Sequence, residues 1–127
     1  MTDDHPNLSL LQRVDPRNIA ESADVFAEDV VWHYFNPRLP EIQGEYVGVA
    51  GLQDFFAKMA AATDATFKVN PVSARAVGDE LLVLHSRNTM TFPDEEVVTD
   101  VVVVWRIVDG RIAEVWDIPS VYAASDS

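Results

Sequence analysis

An α+β domain is the fold class this sequence predicts, and three observations predict it. Apolar residues recur at helical spacing before residue 63. From Thr66 onward the chain reads instead as β-branched runs separated by turns. Asp109-Gly110, flanked by such runs, is the strongest hairpin signal, because both central positions of a type I′ turn need positive φ. Helices first and consecutive hairpins afterwards is an α+β order, unlike that of a doubly wound sheet.

The elements follow in order. Asn7 to Val14 has the pattern of a short helix. Asp15-Pro16 reads as an N-cap followed by proline at the first helical position. Ile19, Ala23 and Phe26 then continue an apolar helical face to about Glu28. Val30 to Phe35 (VVWHYF) is β-branched and aromatic, hence a strand. Pro37, Pro40 and Gly44 make Asn36 to Gly44 a loop. Leu52, Phe55, Phe56 and Met59 predict an amphipathic helix over Gly48 to Ala62. Four strands follow, at Thr66–Val77, Glu80–Phe92, Val97–Val108 and Arg111–Ile118. Pro71 marks the first of them as an edge or bulged strand.

Composition narrows the function classes. The formal charge is −12, from 21 acidic and 9 basic residues. Such a surface repels phosphate backbones and anionic lipid, so neither nucleic acid nor membrane is an expected partner. There is no cysteine, which excludes disulfides, thiolate nucleophiles and Cys-ligated zinc. The polar, acidic start lacks the basic and apolar stretches of a secretion signal, so a cytoplasmic location is expected. With 127 residues the chain is expected to form one domain, burying roughly 65–70% of its unfolded surface. No phosphate loop, nucleophile elbow or zinc motif is present.

Strand alternation predicts which residues share a face. A two-residue turn at Asp109-Gly110 sets Val104 opposite Val115 and Val102 opposite Asp117. A turn tipped at Asp94-Glu95 sets Val104 opposite His85. One face then carries His85, Val102, Val104, Arg106, Val115 and Asp117, and the other carries Leu82, Leu84, Val103, Trp105 and Trp116. Neither is uniformly polar, which predicts that one face packs on the helices and the other on a second copy of the chain.

Several blocks carry a family resemblance: Phe26–His33 (FAEDVVWH), Gly44–Gly48 (GEYVG), Leu52–Phe56 (LQDFF) and Arg106–Asp117 (RIVDGRIAEVWD). In this order the chain resembles the nuclear transport factor 2-like superfamily, and within it the SnoaL-like (polyketide cyclase-like) and ketosteroid isomerase-like domains. The resemblance spans about residues 8 to 122, so the termini are expected to be flexible. It implies a nuclear transport factor 2-like, or cystatin-like, α+β roll: a cone-shaped curved antiparallel sheet around a hydrophobic pocket, packed against N-terminal helices. It also implies a homodimer through the sheet, no cofactor, and an Asp or His in the pocket as acid or base. Two features depart from the pattern. The Trp-Asp pair is followed by Ile118-Pro119-Ser120 where SnoaL-like domains often have a further Asp, and the first helix has no tyrosine to match that of ketosteroid isomerase.

Candidate chemistry rests on three residues. Asp117, among valine and alanine, would have its pKa raised by desolvation and suit a general base; capping a turn or pairing with Arg87 or Arg106 is the plainer role. His33 is an acid/base candidate that the first strand, beside the last in this fold, would bring near Asp117; the plainer role is a satisfied core or edge histidine. His85 lies two strands from Asp117, roughly 10 Å, and would flank a substrate or simply fill the core. Trp32, Tyr46, Phe56, Met59 and Trp105 are candidate pocket walls, together with Val102, Val104 and Val115 from the Asp117 face. The expected activity is a cofactor-independent isomerase, cyclase or dehydratase acting on a small hydrophobic ligand. The alternative is a non-catalytic ligand-binding or dimeric interaction domain. No metal site is expected.

Overall fold

The computed structural model describes residues 6–15, 18–63, 66–91 and 96–120. Helix α1 is Pro6–Arg13, a 3-10 helix spans Ile19–Val25, and helix α2 is Gly48–Ala62. The strands are β1 Phe26–Tyr34, β2 Gly44–Val47, β3 Pro71–Val77, β4 Leu81–Thr91, β5 Glu96–Val108 and β6 Arg111–Pro119. They form a six-stranded curved, unclosed sheet in the order β2-β1-β6-β5-β4-β3. The fold is the α+β class the sequence predicts, with one parallel pair, β1 beside β6, in an otherwise antiparallel sheet.

Helix α2 has the bounds its apolar spacing predicts, because Leu52, Phe55 and Met59 form one stripe and all three are buried against the sheet. Its close approach uses Gly51: a Cβ there would lie 3.1 Å from the Tyr46 carbonyl carbon. The expected helix through Phe26 is a seven-residue 3-10 segment instead, broken at Ser22 (φ −111°), and Phe26 already belongs to β1. Strand β2 went unforeseen, since four residues are too few to show an alternation. Strand β3 is an edge strand that Pro71 opens, with a register irregularity just after it. Pro16 and the tip of the β4–β5 turn lie outside the described residues.

Two registers differ from expectation, with unequal consequences. His85 pairs with Val102 rather than Val104, a slip of two residues that leaves every side chain on its expected face. The β5–β6 hairpin turns at Asp109 (φ 52°) and Gly110 (φ 75°) as predicted, and Val108 opposes Arg111. A bulge between Arg106 and Ile107 then shifts the ladder by one residue, so Val104 opposes Trp116 and Val103 opposes Asp117. A one-residue shift exchanges faces. Asp117 and Val115 therefore stand with Val103 and Trp105 on the inner, concave face, while Trp116 joins Val102, Val104 and Arg106 outside.

The core lies between this concave face and α2. Six ring contacts build it: Trp32 with Phe55 (5.5 Å), Phe56 (5.3 Å) and Trp105 (5.5 Å), and Phe55 with Tyr34 (4.8 Å), Tyr46 (5.2 Å) and Phe56 (4.9 Å). Phe55 is almost wholly buried, and burying such a ring contributes about 1.5–3 kcal/mol.

Candidate functional site

Asp117 sits on the concave wall because two ladders meet there. The parallel β1–β6 pair sets it beside Tyr34, and the bulged β5–β6 pair sets it beside Val103. Trp32, Val115 and Trp105 form the next rung, about 6.8 Å away along the strands. Asp117 is part-buried beside these apolar side chains, and desolvation pushes its pKa from 3.8 up to about 7. No cation offsets that rise. The Trp32 indole N–H beside the carboxyl pulls the other way.

Tyr34 completes the local chemistry. Burial drives its phenol well above the ordinary range, the Asp117 charge adds to that, and Asn36 Nδ2, donating to the phenol oxygen at 3.0 Å, opposes it. Tyr34 is therefore a neutral phenol throughout the neutral pH range. Tyr46, whose hydroxyl donates to the Ile42 carbonyl, holds the other flank of Phe55. Met59 is buried within the same core. A cleft of about 770 Å³ lies between the 3-10 helix, α2 and residues 67–70, lined by Ile19, Gln53, Phe56, Phe67, Lys68 and Asn70 among others. Phe56 borders this cleft and also touches Trp32, so the cleft abuts the aromatic wall of the Asp117 site.

The two histidines are elsewhere. His33 pairs with Trp116, not Asp117, and its ring stacks on Trp116 at 5.6 Å and 13° on the convex face. Its Nε2 lies 2.7 Å from Glu114 Oε2 and its Nδ1 3.1 Å from Glu45 Oε2. Arg106 joins the same network, 3.2 Å from Glu114 Oε1 and 5.1 Å above the Trp116 ring, so it is engaged away from Asp117. His85 is also convex and lies 3.0 Å from Asp100. The expected grouping of His33, His85 and Asp117 is thus divided by the sheet, and Val102 and Val104 go with the histidines. The reason is parity: the bulge turns Asp117 inward, and β1 keeps His33 in step with the outward Trp116. Among the described residues no group of three His, Asp or Glu is placed to hold a metal ion.

Sequence reasoning missed Tyr34, Asn36 and the buried Asn88, whose Oδ1 has no partner. Tyr34 carried a signal, since it follows Trp32 by two residues in β1 and must share its face.

The profile of the SnoaL-like domain matches residues 9–115. This chain belongs to the SnoaL-like domain family. No curated protein matches it significantly. Solved structures resemble this SnoaL-like chain in fold. Bal32a, from a soil-derived mobile gene cassette, is 17% identical with a TM-score of 0.77, over 90% of this chain and 88% of its own. TerC, co-crystallised with polyporic acid, is 20% identical with a TM-score of 0.79, over 91% and 92%. An NTF2-like protein of unknown function from Burkholderia pseudomallei K96243 is 19% identical with a TM-score of 0.80, over 95% and 93%. At these identities the likeness is one of fold, and it establishes the NTF2-like architecture of the SnoaL-like chain. No helix among its described residues is long and apolar enough to cross a membrane.

Proposed function

We propose that this SnoaL-like domain is a cofactor-independent enzyme of the isomerase, cyclase or dehydratase type, with Asp117 as general base on a small hydrophobic substrate. The observation that carries this is the carboxyl itself: it is part-buried on the face of Trp32, Val103 and Val115, stands beside the Tyr34 phenol, and has no cationic partner among the described residues. A carboxylate so placed is costly to keep ionised and correspondingly basic, which matches a proton acceptor working near neutral pH. The aromatic wall suits an apolar substrate. The test is solvent-deuterium incorporation into a panel of cyclic ketones. Wild type is expected to exchange α-hydrogens and Asp117→Asn to do so at background rate; equal rates would remove Asp117 from the role.

One observation favours a second reading, a domain that binds without turnover. Trp32, Phe55, Phe56 and Trp105 fill much of the space between α2 and the sheet with ring-on-ring contacts. Tight binding of a panel compound with no exchange in wild type would support it.

We also propose that the convex face joins two copies of the chain. It carries exposed Val47, Val102 and Ile118, the last two 41% and 44% accessible, around the half-buried Trp116. Apolar side chains grouped on one sheet face mark association surfaces.

A further inference from the structure

The buried hydroxyls of Ser22 and Thr63 donate to the Ile19 and Met59 carbonyls, and that of Thr99 pairs with Ser120. The Asn88 amide differs. It is 6% exposed, and its Oδ1 has no donor within reach. A buried acceptor left unpaired has lost its hydration without replacement, which native proteins seldom tolerate without a use for the group. Asn88 opposes Thr99 across β4 and β5, and shares the concave face with Ser86 and Met90. On its other side, residues 66–70 run antiparallel to β4. Lys68 N donates to the Thr89 carbonyl at 2.8 Å, Thr89 N donates back to the Lys68 carbonyl at 3.1 Å, and Arg87 N donates to the Asn70 carbonyl at 2.8 Å. Counting between these bonds sets Val69 opposite Asn88 and Phe67 opposite Met90. Val69 and Asn88 form a non-hydrogen-bonded pair, so their Cβ atoms stand side by side, about 4.5–5.5 Å apart on one face.

Phe67 and Val69 are also walls of the cleft of about 770 Å³. Its facing wall is a second stripe of α2, in which Gln53, Phe56, Ala57 and Ala60 recur at helical spacing beside the buried Leu52, Phe55 and Met59. The two alanines leave the room. A largely apolar cleft of this volume, with a few polar groups, falls within the range of about 300–1,000 Å³ for small-molecule sites. Lys68 and Asp15, both in the lining, offset each other in charge, and the net charge of −12 disfavours an anionic ligand. A neutral molecule fits best, and the unpaired acceptor beside Val69 calls for a donor on it. We infer that this cleft binds a neutral, largely apolar molecule carrying a hydroxyl group, and that Asn88 Oδ1 accepts the hydrogen of that hydroxyl. The site goes beyond the reading of Asp117 and does not require turnover. Asn88 lies two strands and four residues from Asp117, about 17 Å along the sheet, so a hydroxyl held by one is out of reach of the other.

The test titrates the intact ¹⁵N-labelled protein at pH 7 with 2-naphthol and, separately, with naphthalene, the same rings without the hydroxyl. The naphthol is expected to bind about tenfold more tightly. It should move the Asn88 side-chain amide resonances and the backbone amides of Ala57, Phe67 and Val69. Asn88→Leu, close in size and without polar atoms, should bring the naphthol down to the affinity of naphthalene and leave naphthalene within about twofold of its wild-type value. Asp117→Asn should keep the preference for the naphthol. Equal wild-type affinities overturn the inference, as does binding of neither compound up to its solubility limit. Shifts that miss Ala57, Phe67 and Val69 place the ligand elsewhere and also overturn it. So does a preference that survives Asn88→Leu, or one that vanishes in Asp117→Asn, which would give the hydroxyl to the carboxyl instead. The wild-type comparison and Asp117→Asn decide the matter even if Asn88→Leu does not fold. Neither result bears on α-exchange, so the site and the base stand or fall separately.

Discussion

Tyr34 stands directly opposite Asp117 in the parallel β1–β6 ladder, so phenol and carboxyl share the concave face. Asp117 raises the cost of ionising Tyr34, because the phenolate would face the carboxylate in a largely apolar wall. The pair therefore offers one group able to accept a proton near neutrality and one that keeps its own.

Asp117 should cost stability where it is ionised. Its carboxyl pKa rises from 3.8 to about 7 on folding, so between those values the folded chain holds more protons than the unfolded one. Stability is then greatest below about pH 4 and falls as the pH climbs to about 7. Asp117→Asn should leave stability nearly unchanged at pH 4 and raise it at pH 8, by as much as about 4 kcal/mol, in urea titrations. A variant less stable than wild type at pH 8 would mean the carboxylate is well solvated or paired. Exchange activity should run opposite, rising with pH through about 7 as the base ionises.

His33 should be dispensable for chemistry. Its ring nitrogens are engaged by Glu45 and Glu114 on the face away from Asp117. His33→Phe keeps the stacking on Trp116 and should leave α-exchange within about twofold of wild type. A loss of more than tenfold would show that the convex network acts through the sheet.

Convex association predicts an oligomer that charge can break. Val102→Lys combined with Ile118→Lys puts like charges on adjacent strands where the two residues pair directly. Light scattering should give a dimer mass for wild type at micromolar concentration and a monomer mass for the variant. A wild-type monomer would leave the convex face without a second copy.

Phe55 is the keystone of the aromatic core. Phe55→Ala would leave a ring-sized void beneath Trp32, Tyr34 and Tyr46. A loss of about 3–5 kcal/mol in urea unfolding is expected. Less than 1 kcal/mol would mean that α2 collapses into the space, and the pocket walls with it.

The parts of this fold legible in the sequence were those fixed by local physics. The α2 stripe and the Asp109-Gly110 turn needed only residue spacing and positive φ, and both came out at the expected residues. Asp117 was legible as a carboxyl in apolar company for a similar reason: its neighbours in sequence are apolar on any register. What was not legible depended on counting along a ladder. Nothing in RIAEVWDI marks Ala113 as an extra residue, so the bulge was invisible and Asp117 came out grouped with His85 and Val102. His33 failed the same way, since alternation in VVWHYF leaves open whether Trp32 or His33 turns inward until the partner strand is placed.

The Arg106–Ile107 bulge thus governs what the pocket contains without touching it. Were Ala113, the extra residue, paired regularly with Arg106 instead of bulged, β6 would present Glu114, Trp116 and Ile118 to the interior and expose Val115 and Asp117 to water. The site's chemistry is in this sense a matter of reading frame. A regular ladder there would turn the opposite face of an otherwise unchanged strand to the interior, and an alignment that slips one position there would compare interior residues with exterior ones.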